Sequence, residues 1–324
     1  MSARERAVIA RVAVRGRGVL DADEPVLTGD DLGLIRGDGC FDSTRVVTNA
    51  EGVARAENLI EHLDRLAASA AELEIYSPSH SEWIELIDGL LAAWDTPGEA
   101  VLKVILTRGR EWDPGPPTAI ATLVDAASLA GVGRAGASVP SCALGTGTGG
   151  SDTSAPRGPW AARRGIKIVT LSKGHPSDAY VDAPWLLGGV KTLSYVVNVS
   201  AQREARRRGA DDVLFTTTDG YCLDGPTSGL IVIDGDRLRT TTTGPTGLLA
   251  SVTVERTVEA ARGDGMEARY ELIPVGDLLC ADGVWLVSSS RGAAPVTHVD
   301  GVPIAVDPAL VERITRYAGF ALGS

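Results

Sequence analysis

Residues 188–209 read GGVKTLSYVVNVSAQREARRRG. Leu193, Val196, Val197 and Ala201 recur at helical spacing and predict an amphipathic helix over residues 192–208, with Gly209 placed to end it. Lys191 stands just before that helix, after a glycine pair and among Leu186, Leu187, Val190 and Leu193. Apolar neighbours desolvate an ammonium and lower its pKa, which can make a lysine a nucleophile toward carbonyl groups. The competing reading is a lysine that reaches solvent from a helix start.

Working outward, residues 166–171 form an upstream strand pattern. Downstream, residues 213–217, the Asp219–Gly220 pair and residues 221–223 read as a hairpin. The pattern repeats through residues 230–233, Asp234–Gly235 and residues 238–240. Residues 252–262 read as a helix with Ser251 as N-cap, and residues 284–288 as a strand. In the first half, residues 8–14, 40–47, 101–107 and 118–124 read as strands, and residues 59–73 and 83–94 as helices. The expected fold class is α/β (α+β), with domains over residues 1–128 and 161–324 joined by residues 129–160. Within that connection, GTGTGGSDTSAPRGP at residues 145–159 reads as a flexible linker or insertion, because its glycines do not open a helix after a strand.

With 324 residues, the chain is long enough to bury a core without disulfides or metals. A net charge of −11 argues against non-specific nucleic-acid binding and against attraction to anionic membranes. An anionic substrate therefore needs a local cationic site. Cys40, Cys142, Cys222 and Cys280 are scattered without a CxxC pair, which fits a reduced, cytoplasmic compartment. The N-terminal residues do not read as a signal peptide, and no apolar run is long enough to span a membrane. His62, His80, His175 and His298 lack partners at ligand spacing, so no metal is expected.

Several residues could carry chemistry. Asp224, in YCLDGPTSG, could pair with a protonated ring nitrogen or simply form a turn. TGLLASVT at residues 246–253 leads into a helix whose first N–H groups, with Ser251 or Thr253, could hold a phosphate or merely cap. SSSRG at residues 288–292 adds hydroxyls and a cation. Arg65 lies in EHLDRL. Arg108 and Arg110, in LTRGRE, follow a strand and suit bidentate carboxylate capture, or a solvated loop.

Together, RGDGCFDSTRV, EHLDRL, LKVILTRGR, KTLSYVVNVSAQREARRRGADDVLF, DGYCLDGPTSG, SVTVERTVEAAR and SSSRGAAPVTHVDG resemble, in order and spacing, the fold-type IV pyridoxal-phosphate enzymes. That family includes branched-chain and D-amino-acid aminotransferases and 4-amino-4-deoxychorismate lyases. The resemblance runs from Arg36 to Gly301. It implies a two-domain fold of the D-amino-acid aminotransferase kind, with pyridoxal 5'-phosphate in the interdomain cleft, and a homodimer. It also implies that Lys191 bonds the cofactor covalently. Arg65, Val252 and Thr253 would hold its phosphate, Ser289 would add a hydroxyl nearby, and Asp224 would keep the ring nitrogen protonated. Arg108 and Arg110 would hold substrate carboxylates. Three positions depart from the family pattern: Asp224 and Asp42 stand where glutamate is usual, and Ser194 where asparagine is common.

The resemblance is best to 4-amino-4-deoxychorismate lyase. In that reaction the freed lysine removes a ring proton, pyruvate leaves and 4-aminobenzoate forms, a step toward folate. The second reading is an aminotransferase acting on D-amino acids or branched-chain amino acids. A third is a binding or scaffolding relative with weakened catalysis, suggested by the shorter acid at position 224.

Overall fold

The structure, a computed structural model, describes residues 10–126 and 165–320. Residues 129–160, including the Gly-rich stretch, lie outside the described residues. The first half builds a six-stranded antiparallel sheet from β1 (Ala10–Val14), β2 (Gly18–Leu20), β3 (Gly39–Thr48), β4 (Ala54–Ala56), β5 (Gly98–Thr107) and β6 (Thr118–Asp125), in the order β2-β1-β6-β5-β3-β4. A short helix α1 (Leu32–Ile35) precedes β3. Helices α2 (Leu59–Glu72) and α3 (His80–Ala92) cover one face.

The two-residue period of β3 sorts its side chains. Cys40 and Val46 bury against Leu63, Leu66, Trp83 and Ile87 of the helices. Phe41 and Ser43 point the other way, into a cleft, as do Lys103 and Ile105 of β5. Helix α3 starts with a capping box between Ser79 and Glu82, so it begins three residues earlier than its apolar pattern suggests.

The second half forms an eight-stranded mixed sheet. Its strands are β7 (Ile166–Ser172), β8 (Asp212–Thr216), β9 (Gly229–Asp234), β10 (Arg237–Thr241), β11 (Glu267–Glu271), β12 (Gly283–Ser288), β13 (Gly292–Val299) and β14 (Val302–Pro303). Seven follow the order β11-β10-β9-β12-β13-β7-β8, and β14 pairs with β13. Of the three parallel pairs among the described residues, β7–β8, β10–β11 and β7–β13, the first two are each joined by a helical crossover. The first crossover carries α4 (Val196–Arg207), the second α5 (Val252–Gly263), and α6 (Pro308–Tyr317) packs beside α5. Each crossover leaves the sheet at the cleft, and each supplies part of the site.

Helix α4 is shorter than its sequence pattern. Thr192 forms a bridge with Cys40, and the Leu193 N–H donates to the Gly39 carbonyl at 2.9 Å, so these residues extend the first sheet instead of joining the helix. Its apolar face also differs from expectation: Ala201 and Ala205 are buried, whereas Val196 and Val197 are 71% and 59% exposed. Gly209 does end the helix, at φ +74°, with the Ala210 N–H returning to the Ala205 carbonyl. Residues 221–223 form isolated bridges to Thr216 and Pro274, not a full strand.

Candidate active site

Lys191 belongs by sequence to the β7–β8 crossover, yet its backbone is tied to the first half. Its carbonyl accepts from the Phe41 N–H at 3.1 Å, and its own N–H donates to Ser69 Oγ of α2 at 3.2 Å. Gly39 makes this approach possible, since a Cβ there would meet Leu193 Cδ1 of the same segment at 2.7 Å. The Lys191 ammonium lies 4.8 Å from the centre of the Phe41 ring and lines a cleft of about 1410 Å³ between the two sheets. Desolvation there, reinforced by the Arg65 charge, pulls it down to about 8.

Asp224 follows the chain reversal after β8. The Phe215 N–H donates to its carbonyl at 2.8 Å, and the Leu223 N–H returns to the Phe215 carbonyl at 2.8 Å. The side chain projects into the same cleft, with Oδ1 shut off from solvent and without a hydrogen-bond partner. Burial raises its carboxyl to about 6, and the charges of Lys173 and Lys191 offset part of that rise. A buried carboxylate oxygen without a partner is costly unless a ligand supplies a donor.

The second crossover contributes the start of α5. Ser251 Oγ accepts from the Val254 N–H at 3.3 Å, which leaves the Val252 and Thr253 N–H groups without intrahelical acceptors at the positive end of the helix dipole. Thr253 Oγ1 lies 2.9 Å from Ser289 Oγ on the loop after β12. Arg65 reaches the same corner from α2, its Nη1 donating to the Ala250 carbonyl at 2.9 Å. Its other donors grip Asp42, Nε to Oδ2 at 2.7 Å and Nη2 to Oδ1 at 2.8 Å. His62 Nδ1 meets Asp42 Oδ1 at 2.8 Å, and His62 Nε2 meets Ser289 Oγ at 3.1 Å. Burial alone would raise the Asp42 carboxyl. The hydrogen bonds and charge of Arg65 and His62 outweigh it and hold the group well below the usual carboxylate range.

Asn58, His62 and Arg65 thus project from one face of the chain entering and forming α2. Each bonds the second half: Asn58 Oδ1 accepts from Arg256, His62 meets Ser289, and Arg65 meets Ala250.

The structure therefore gathers Lys191, Asp224, Thr253, Ser289 and Arg65 around one cleft, while the Val252 side chain is buried and only its place at the start of α5 brings it near. It does not bring Arg108 or Arg110 there. Arg108 donates to Asp38 at 2.6 Å and to the Leu73 carbonyl at 2.6 Å, while Arg110 pairs with Asp30 and Asp113. Neither lines the cleft. A cation that does is Lys103, its ammonium 5.5 Å from the centre of the Phe41 ring and drawn down by desolvation. Sequence reasoning missed Lys103 because it sits inside an otherwise apolar strand. His62 was missed too, although its place three residues before Arg65 puts both on one helical face.

The family model for class IV amino-transferases matches residues 151–299. The chain is 32% identical over 291 residues to a bifunctional aminodeoxychorismate lyase / D-amino acid transaminase from Mycobacterium tuberculosis, covering 87% of this chain and 89% of that protein. The structure resembles a fold IV-transaminase from Curtobacterium pusillum with a TM-score of 0.77 and 33% identity, over 95% of this chain and 97% of that one. It also resembles the pyridoxal-phosphate-bound form of a hypothetical aminotransferase from Mycobacterium tuberculosis, with a TM-score of 0.79 and 31% identity, over 96% and 98% of the two chains. The chain belongs to the class IV aminotransferases, a family of pyridoxal-phosphate enzymes with the type IV fold.

Proposed function

We propose that this chain is a 4-amino-4-deoxychorismate lyase that releases pyruvate and 4-aminobenzoate, a step toward folate. The observation that carries the cofactor chemistry is the unpartnered Asp224 Oδ1 in the same cleft as the desolvated Lys191. These residues fit pyridoxal 5'-phosphate. Asp224 would accept from a protonated ring nitrogen, and Lys191 would bond the aldehyde carbon. The Val252 and Thr253 N–H groups, Arg65 and the Ser289 hydroxyl would hold the phosphate. When bound, the cofactor supplies an electron sink for charge that develops on the substrate.

The remaining chemistry falls to the side chains. Lys191, drawn down to about 8, is about one-tenth neutral at pH 7 and increasingly so above it, and the neutral amine can take a proton from the substrate. The lyase substrate carries two carboxylates. Lys103 opens into the cleft and gives one of them a cation, in the role first expected of Arg108 and Arg110.

Support for the lyase reading comes from the Mycobacterium tuberculosis relative named for lyase and D-amino acid transaminase activities together. That name also favours a second reading, transamination of D-amino acids at the same lysine. Exposed Val181, Trp185, Leu186, Val196 and Val197 flank the Lys191 segment and suit a homodimer contact. We place the protein in the cytoplasm on its scattered cysteines. No helix among the described residues is long and apolar enough to cross a membrane.

The test is a visible absorbance scan after incubation with pyridoxal phosphate, followed by each amine substrate. A cofactor band, with 4-aminobenzoate and pyruvate appearing from 4-amino-4-deoxychorismate, is the expected result. A band that converts to the amine form with D-alanine, without lyase turnover, would favour the transaminase. Failure to form the band would overturn the cofactor reading.

A further inference from the structure

The corner where the phosphate is placed has an unusual charge balance. Arg65 reaches it, yet that guanidinium is already neutralised by the fully buried Asp42, to which it donates twice. A phosphate dianion arriving there meets helix N–H groups and hydroxyls, with no net side-chain charge from the Arg65–Asp42 pair.

The hydroxyl protons are also constrained. Asp42 is held ionised, so Oδ1 can only accept, and the proton between it and His62 must sit on His62 Nδ1. When His62 carries that single proton and no other, its Nε2 is an acceptor and draws the Ser289 O–H toward itself across 3.1 Å. Ser289 Oγ then accepts from the Thr253 O–H across 2.9 Å. Both hydroxyls point their protons along the relay and present lone pairs to the phosphate corner, the wrong polarity for an anion. A second proton on His62 reverses the chain: Nε2 donates to Ser289, whose own proton is freed to turn outward.

We propose that the Asp42–His62–Ser289–Thr253 relay couples phosphate binding to proton uptake at His62, so that His62 is a positioning residue that sets the polarity of the phosphate corner. The inference rests on the cofactor reading above. Charged and titratable groups around His62 are accounted for from each side. Asp42 comes from β3, Arg65 from α2, and Lys191 is felt by both. A small cavity behind Ser289 and Thr253 adds Glu57 and Arg256, the latter bonded to Asn58. Among the described residues, the second half offers the neutral hydroxyls of Ser289 and Thr253 as direct partners of the relay. A dianion added to this balance favours one more positive charge, and His62 is the group already hydrogen-bonded on both nitrogens to receive it.

The test titrates the cofactor-free protein with pyridoxamine phosphate, which has no aldehyde and forms no bond to Lys191. Calorimetry in two buffers of different ionisation enthalpy, at about pH 7.5 where the phosphate is already largely a dianion, counts the protons taken up. Wild-type protein is expected to take up roughly one proton more than His62→Gln, and its affinity to weaken up to about tenfold more per pH unit as pH rises. Ser289→Ala leaves the His62–Asp42 pair in place but cuts the relay, and it too should lose the extra proton. Equal proton counts in wild type and Ser289→Ala would overturn the proposal even if His62→Gln failed to fold. Tight binding without proton uptake would overturn the relay alone. Absence of binding would overturn the cofactor reading and the relay with it.

Discussion

Lys191 and Phe41 come from opposite halves of the chain and meet twice. The Phe41 N–H donates to the Lys191 carbonyl at 3.1 Å, and the Lys191 ammonium lies 4.8 Å from the centre of the Phe41 ring. The lysine is thus held by its backbone while its side chain is kept from bulk water.

That enclosure makes the lysine's reactivity depend on pH in a definite direction. Its ammonium is drawn down to about 8 from an ordinary 10.5, so the neutral amine accumulates as pH rises through about 8. Stopped-flow absorbance of the cofactor-free protein mixed with pyridoxal phosphate should show the bonding rate rising with a midpoint near that value. A midpoint near 10.5 would contradict the enclosure. Lys191→Ala should abolish both the covalent bond and turnover.

Asp224 carries the opposite kind of shift. Burial raises its carboxyl to about 6, so it is ionised above that value and neutral below it. A protonated ring nitrogen would donate to Asp224 and favour its ionised form, so turnover should fall on acidification with a midpoint below about 6. Asp224→Asn, which cannot ionise, should lower kcat by about a hundredfold or more and remove that acid limb. Asp224→Glu restores the usual family residue. A large gain in its kcat would show that the shorter acid limits the electron sink.

The Asp42–Arg65 pair makes a stability prediction. Asp42→Asn leaves Arg65 and His62 facing a neutral amide and should cost about 3 kcal/mol in urea denaturation. The sign with pH follows from a depressed carboxyl. The ionic contribution is fully present above the unfolded value of about 3.9 and is lost as pH falls below it toward the folded value. The gap between wild type and Asp42→Asn should therefore close on acidification below about pH 4.

Lys103 tests the choice of substrate. Lys103→Met keeps the length of the side chain and removes its charge. KM for 4-amino-4-deoxychorismate should rise about tenfold or more, the scale of one charge-assisted hydrogen bond, while KM for D-alanine changes less. Equal changes for both substrates would remove Lys103 from substrate discrimination.

Much of the frame was legible in the sequence because it is written in short-range patterns. The strand run of residues 40–47, the Ser251 cap and the Gly209 terminator each act within a few residues. Lys191 and Asp224 could be singled out by their neighbours and by resemblance. The start of α4 could not be read locally. Thr192 and Leu193 continue the helical pattern in sequence, but pairing with Cys40 and Gly39 captures them first. Val196 and Val197 misled for a related reason, since apolar spacing does not tell a core from an exposed rim. The Asp42–His62–Ser289 chain joins residues more than two hundred positions apart, and no sequence window contains it.

The three bonds made by Asn58, His62 and Arg65 bear on how molecules enter and leave. They run along one side of the cleft like stitches, and prising the halves apart there would break all three together. The Phe41–Lys191 and Gly39–Leu193 bonds join the halves as well, at the lysine. Exchange of substrate and product is therefore expected through the existing mouth of the cleft and not by separation of the halves, so a change at that mouth should act on residence time while the chemistry behind it stays the same.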